Sequence, residues 1–172
     1  TCVGNNLLKE IRASKFTSKK VIISQINKIL EDNYQFIGYT KLSHLIEDKK
    51  RDNTLTSYFS NRLIIIDEVH NIRVNDDVES KKIANNLFYL VDVVKTIRLL
   101  LLSATPMYNS YKEIIWITNL MNLNDNRSKI NEKDIFDKNG DFLINADTGE
   151  EIGKLKLANR VRGYISFVRG ED

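Results

Sequence analysis

Cysteine occurs once in this 172-residue chain, at Cys2, so no internal disulfide can form. No Cys/His cluster has the spacing of a zinc site, and the expectation is a metal-free scaffold in a reducing, intracellular compartment. Long apolar runs are missing as well. The longest aliphatic stretches, Leu63 to Ile66 and Leu99 to Leu102, have four residues each, against the roughly 20 needed to cross a bilayer. Proline appears once, at Pro106, whereas Ile, Asn and Lys together number 57, the bias that an A/T-rich genome produces. No charged-then-apolar signal segment opens the chain, which starts Thr-Cys-Val and is expected to be an internal piece of a longer protein. No internal repeat is present. A phosphate-cradling G-x-x-x-x-G-K-[ST] loop is also absent: Gly153-Lys154, the one Gly-Lys pair, continues into Leu155 and has no glycine five residues before it.

What is present describes a folded domain. Residues of the hydrophobic class make up 42% of the chain and charged ones 28%, which excludes wholesale disorder, and the length allows one domain or one domain plus part of another. A net charge of +3 is too mild to announce a nucleic-acid binder by itself.

Helical periodicity marks Ser18–Leu30 through Ile22, Ile26, Ile29 and Leu30, and Ser80–Val94 through Ile83, Leu87, Leu90, Val91 and Val94. Ser110 and Glu113 form a capping pair for a third helix reaching Asn122. Tyr34 to Tyr39 has strand composition and leads to Thr40 as a cap for a helix over Lys41–Asp48. Leu55–Phe59 suits a short helical turn. The uninterrupted run Leu63–Ile66 and the stretch Ile97–Leu102 are expected to be parallel strands buried on both faces. Further on, Asn139-Gly140 predicts a hairpin between Ile135-Phe136 and Phe142–Ile144, followed by a helix over Glu150–Val161 and a strand over Tyr164–Val168. Strands alternating with helices up to Asn122 give an α/β fold with a parallel sheet, and function belongs at the carboxyl ends of the strands.

Those ends carry chemistry. Asp67-Glu68-Val69-His70 places two carboxylates and an imidazole where the first strand opens into a loop. Phosphoryl transfer needs one carboxylate to hold magnesium, through water, and a second to orient the attacking water. A lone Asp-Glu pair also begins many ordinary polar turns. The second strand ends in Ser103-Ala104-Thr105, whose hydroxyls emerge at the same edge, within reach of His70.

Asp67-Glu68-Val69-His70 resembles motif II, and Ser103-Ala104-Thr105 motif III, of the superfamily-two DExH helicases and translocases. Pro106-Met107-Tyr108-Asn109-Ser110, Glu113 and Asn119-Leu120 resemble the chromatin-remodeller-like branch and its large-DNA-virus relatives. The viral group containing the poxvirus early transcription factor small subunit and nucleoside triphosphatase I is similar too. Phe36–Leu42 and Arg162–Glu171 look like giant-virus members, so the likeness runs through most of the chain.

The resemblance implies part of a RecA-like motor domain lacking its P-loop strand over residues 1–124, with residues 125–172 an α+β extension toward a second motor domain. It implies ATP and Mg2+ as cofactors and DNA or RNA as partner, with viral transcription machinery in the host cytoplasm or virion as the setting. By the same likeness Asp67 binds magnesium, Glu68 is catalytic base or water orienter, and His70, Ser103 and Thr105 couple hydrolysis to movement. Thr40 faces nucleic acid. The family places its P-loop strand beside the motif III strand, so Ile97–Leu102 should present an edge, and the isolated chain should bind ATP poorly and not hydrolyse it. A non-catalytic α/β interaction module and an unrelated metal hydrolase using Asp67 and His70 are the competing readings; the second leaves Ser103-Ala104-Thr105 unexplained. Asp137, Asn139 and Asp141 start like a calcium loop but lack its glycine and glutamate. His44 is expected to be packed or at the surface. Arg160, Arg162 and Arg169 suit either phosphate contact or a solvated edge.

Overall fold

A computed structural model of the protein describes residues 18–72, 78–107 and 111–167. The chain divides into two compact units, Thr1–Gly38 and Tyr39–Asp172. In the first, α1 (Lys19–Asn33) starts from Ser18, whose hydroxyl accepts the Val21 amide at 3.4 Å. Of its predicted apolar face, Ile22, Ile26 and Ile29 are half-buried, while Leu30, like Val21 and Ile23 elsewhere on the helix, is exposed.

The second unit holds α2 (Tyr39–Arg51), α3 (Leu55–Phe59), β1 (Leu63–Ile66), α4 (Val78–Val93), β2 (Arg98–Leu101), α5 (Tyr111–Asn124) and α6 (Ile152–Val161), with single 3₁₀ turns at Val69–Asn71 and Glu132–Asp134. It is a mixed helix-and-strand arrangement with a small parallel sheet, in keeping with part of a RecA-like domain. Strands β1 and β2 pair in parallel, Leu63 opposite Arg98 through Ile66 opposite Leu101, and α4 supplies the crossover that parallel pairing requires. Among the described residues β2 has no second ladder partner.

The core is built by α2, α3, α4 and α5 on one side of this sheet: Ile46, Leu87, Leu90, Val91, Val94, Ile97 and Leu120 are essentially inaccessible. Two buried amide side chains tie α5 to other segments, and a third bonds within the helix. Asn119 donates to the Ile130 carbonyl at 3.0 Å and accepts its amide at 2.6 Å, as a neighbouring strand would. Asn122 bonds back to the Thr118 carbonyl, and Asn124 donates to the Ile97 carbonyl at 3.0 Å, tying the helix end to the start of β2.

A second cluster of Ile115, Ile130, Ile135 and Phe136 lies under the predicted hairpin, which is present as the single antiparallel bridge Phe136–Phe142. Two glycines are needed here. Gly140 has φ +90 in the turn, and at Gly153 a Cβ would stand 2.0 Å from the Ile135 carbonyl oxygen, so only glycine lets α6 rest on the hairpin backbone.

Three expectations need correction. Tyr34–Gly38 forms no strand: β-favouring side chains make a strand only beside a partner, and the chain enters α2 at Tyr39, which leaves Thr40 inside the first turn instead of capping it. For the same reason 164–167 has no strand, and Val168 lies outside the described residues. Finally, β1 and β2 are covered on one face only, since Leu63, Ile65, Leu100 and Leu102 are 42–59% exposed. The Ser110–Glu113 cap lies outside the described residues through Ser110, although α5 itself begins at Tyr111. No helix among the described residues is long and apolar enough to cross a membrane.

Candidate functional site

Because β1 and β2 are parallel and in register, both carboxyl ends reach one rim. The ladder continues beyond them: Leu102 N–H donates to Ile66 O and Val69 N–H to Leu102 O, each at 2.9 Å. Asp67 and Glu68 lie between these two bonds and are exposed, whereas Ile66 before them and Val69 after them are 2% exposed. Two buried aliphatic anchors thus hold two carboxylates out at the strand end.

Glu68 takes a left-handed conformation, φ 50 and ψ 47. A residue with a Cβ enters that region at a cost of about 1–2 kcal/mol, so surrounding bonds must hold it there. Its amide donates to Asp67 Oδ1 at 3.1 Å and its carbonyl accepts Asn71 N–H at 2.8 Å, which starts the 3₁₀ turn. Tyr39 adds a bond from α2: its hydroxyl donates to the Asp67 carbonyl and stands 3.2 Å from that of Glu68. Burial, with Asp67 and Glu68 nearby, raises the Tyr39 phenol above its ordinary value of 10, so the group remains a donor throughout the neutral range.

The imidazole bridges the two strand ends. His70 Nδ1 is 2.9 Å from Ser103 Oγ and 3.2 Å from Glu68 Oε2. With the proton on Nδ1, carboxylate and hydroxyl oxygen share it, and Ser103 Oγ also accepts the Thr105 amide at 3.1 Å. The expected meeting of His70 with Ser103 is therefore present. Thr105, itself exposed, joins the cluster through its backbone. Thr40 is exposed, and its hydroxyl donates to Glu79 Oε1 at the start of α4, 2.8 Å away.

Elsewhere, Asp137 Oδ1 accepts the Asn139 and Asp141 amides at 2.8 and 2.9 Å, so it shapes the hairpin turn. His44 is exposed on α2. Arg160 reaches Ser128 Oγ at 3.3 Å, Arg162 is exposed, and Arg169 lies outside the described residues.

No group of three or more His, Cys, Asp or Glu side chains forms a metal cage among the described residues. Asp67, with one oxygen on the Glu68 amide and the side chain open to water, fits a magnesium ion that keeps most of its own water and takes further ligands from phosphates. The residue that sequence reasoning missed is Tyr39. Its ring looked like part of a strand, and no spacing rule connects a tyrosine to a turn 28 residues later.

Residues 4–108 match the family described as type III restriction enzyme, res subunit (ResIII). The chain is 29% identical over 130 residues to "Putative ATP-dependent RNA helicase L377" of Acanthamoeba polyphaga mimivirus, covering 72% of this chain and 10% of that protein. It is 36% identical over 73 residues to "Putative helicase 087L" of Invertebrate iridescent virus 3, covering 42% and 7%. With "Putative ATP-dependent RNA helicase L538" of the same mimivirus it shares 26% over 155 residues, 89% of this chain and 31% of that one. The chain therefore spans between 7% and 31% of the length of these relatives. No solved structure matches it.

Proposed function

The chain belongs to the ResIII family, a helicase family, and from that footing we propose that it is part of an ATP-dependent superfamily-two helicase or translocase of a large DNA virus. Residues 1–124 belong to its first motor domain and 125–172 lead toward a second. The observation that carries this reading is the single rim at which Asp67, Glu68, His70 and Ser103 meet. Asp67 would hold a hydrated Mg2+, which supplies charge neutralisation on the nucleotide phosphates when bound. Glu68 accepts a proton from, and orients, the attacking water. Its Oε2 stands 3.2 Å from His70 Nδ1, so the same carboxylate can report its engagement to Ser103 at the end of β2. Ser103, fixed by the Thr105 amide, passes that change to the segment after β2, which makes His70, Ser103 and Thr105 the coupling group.

The substrate is DNA or RNA; the mimivirus relatives carry RNA helicase in their names, which supports RNA. These relatives are viral, and a role in viral transcription, in host cytoplasm or virion, rests on the sequence resemblance to the poxvirus factors alone. The DExH assignment rests on the Asp67-Glu68-Val69-His70 spelling. With no P-loop among its 172 residues, this stretch alone lacks the means to cradle the triphosphate.

The test is Glu68→Gln in the full-length protein. Nucleic-acid-stimulated ATP turnover should fall by at least about 100-fold while ATP binding persists, because the amide keeps the shape and loses the base. Unchanged turnover removes Glu68 from catalysis. Absence of nucleotide binding in wild-type and variant alike would favour the non-catalytic interaction module.

A further inference from the structure

The turn that presents the two carboxylates is held by more than its own strand. Of the bonds around it, Glu68 N–H to Asp67 Oδ1 and Asn71 N–H to Glu68 O are local, and Val69 N–H to Leu102 O ties it to β2. The bond from Tyr39 comes from elsewhere, the first residue of α2, and reaches the carbonyls of both Asp67 and Glu68. The Tyr39 ring packs against the main core, beside buried Leu42, Ser43 and Ile46 of its own helix. The hydroxyl is thereby fixed to the scaffold while the carboxylates stand in solvent.

We propose that Tyr39 is a positioning residue: its hydroxyl pins the two peptide groups of the left-handed turn and so sets the direction in which the Asp67 and Glu68 side chains project. This rests on the reading of the rim as an ATP-hydrolysing site. A carbonyl is the right thing to hold. The orientation of the Asp67–Glu68 peptide fixes ψ of Asp67 and φ of Glu68, and with them the direction of the Glu68 side chain relative to Asp67 and β1, whereas a bond to either side chain would occupy the group that has to work. A misplacement on the order of 1 Å in such a group is enough to slow a reaction about 100-fold. The arrangement also joins α2, where Thr40 bonds Glu79, to the turn through adjacent residues, so a displacement of the α2 start shifts the carboxylates.

Tyr39→Phe removes the hydroxyl and leaves the ring in the core. In the full-length protein, with Glu68→Gln alongside, the ATP kcat of Tyr39→Phe at saturating nucleic acid should fall about tenfold. KM for ATP should stay within about twofold and the melting temperature within about 2 °C. Amide hydrogen exchange over residues 67–70 should quicken by at least about fivefold, with α4 and α5 unchanged. If Glu68→Gln is inactive and Tyr39→Phe keeps kcat within twofold of wild type, the positioning role is overturned. Should Glu68→Gln match wild type in turnover, the reading of the rim fails and exchange alone decides the clamp: unchanged exchange at 67–70 overturns it, faster exchange sustains it.

Discussion

On one face of the β1–β2 sheet, Ile66 is 2% exposed and Ile64, Leu99 and Leu101 pack against the core built by α2, α4 and α5; on the other, Ile65 is 51% and Leu100 44% exposed. The side chains on the two faces are chemically alike. Their difference comes from the helices, whose apolar stripes settle on one side, so the composition of a strand tells that it is buried in a sheet without telling which of its faces is covered. The rim inherits this asymmetry, because buried Ile66 and Val69 anchor the turn toward the covered face while Asp67 and Glu68 project between them.

The comparison breaks most readily by truncating one isoleucine at a time. Ile66→Ala should destabilise the chain by about 2–5 kcal/mol in urea denaturation, since a cavity opens in packed surroundings. Ile65→Ala, one residue earlier on the open face, should cost less than about 1 kcal/mol. Equal losses would mean that the two faces are covered alike.

A smaller effect sharpens the covered side. Between α2 and α4, Glu47 accepts from Lys82 Nζ at 2.9 Å and from Asn86 Nδ2 at 3.2 Å, and Asn86 also donates to Ser43 Oγ at 2.8 Å. The Lys82 bond first, then that of Asn86, holds the Glu47 carboxyl below its ordinary value of 4.5. A lowered folded value means stability present above the ordinary range and lost as pH falls through the lowered one. Glu47→Gln should therefore melt slightly below wild type at pH 7, by no more than about 2 °C because the pair is exposed, and the two should converge in acid. A gap that widens as pH falls would contradict the assignment.

Much of this was legible beforehand. Helical spacing found α1, α4, α5 and α6 to within a few residues, aliphatic runs found both strands, and Asn139-Gly140 found the hairpin. The meeting of His70 with Ser103 followed from parallel strands ending together. Four features were not legible. Tyr34, Phe36 and Ile37 spelled a strand because propensity knows nothing of a missing partner strand. The left-handed Glu68 was invisible because a non-glycine residue enters that region under tertiary constraint. Tyr39 was hidden because its bond joins segments 28 residues apart, and no local pattern encodes it. Asn119 belongs with it: noticed within a resemblance, it turns out to hold the Ile130 backbone.

That the two strand ends act as one site is tested most directly by a double-mutant cycle in the full-length protein. His70→Ala, Ser103→Ala and the pair are compared for nucleic-acid-stimulated ATP turnover. Joined through Nδ1 and Oγ at 2.9 Å, the residues should show coupling of at least about 1 kcal/mol, so the double variant should be little slower than the slower single. Losses that simply multiply, or single variants that both turn over at the wild-type rate, would contradict a shared site.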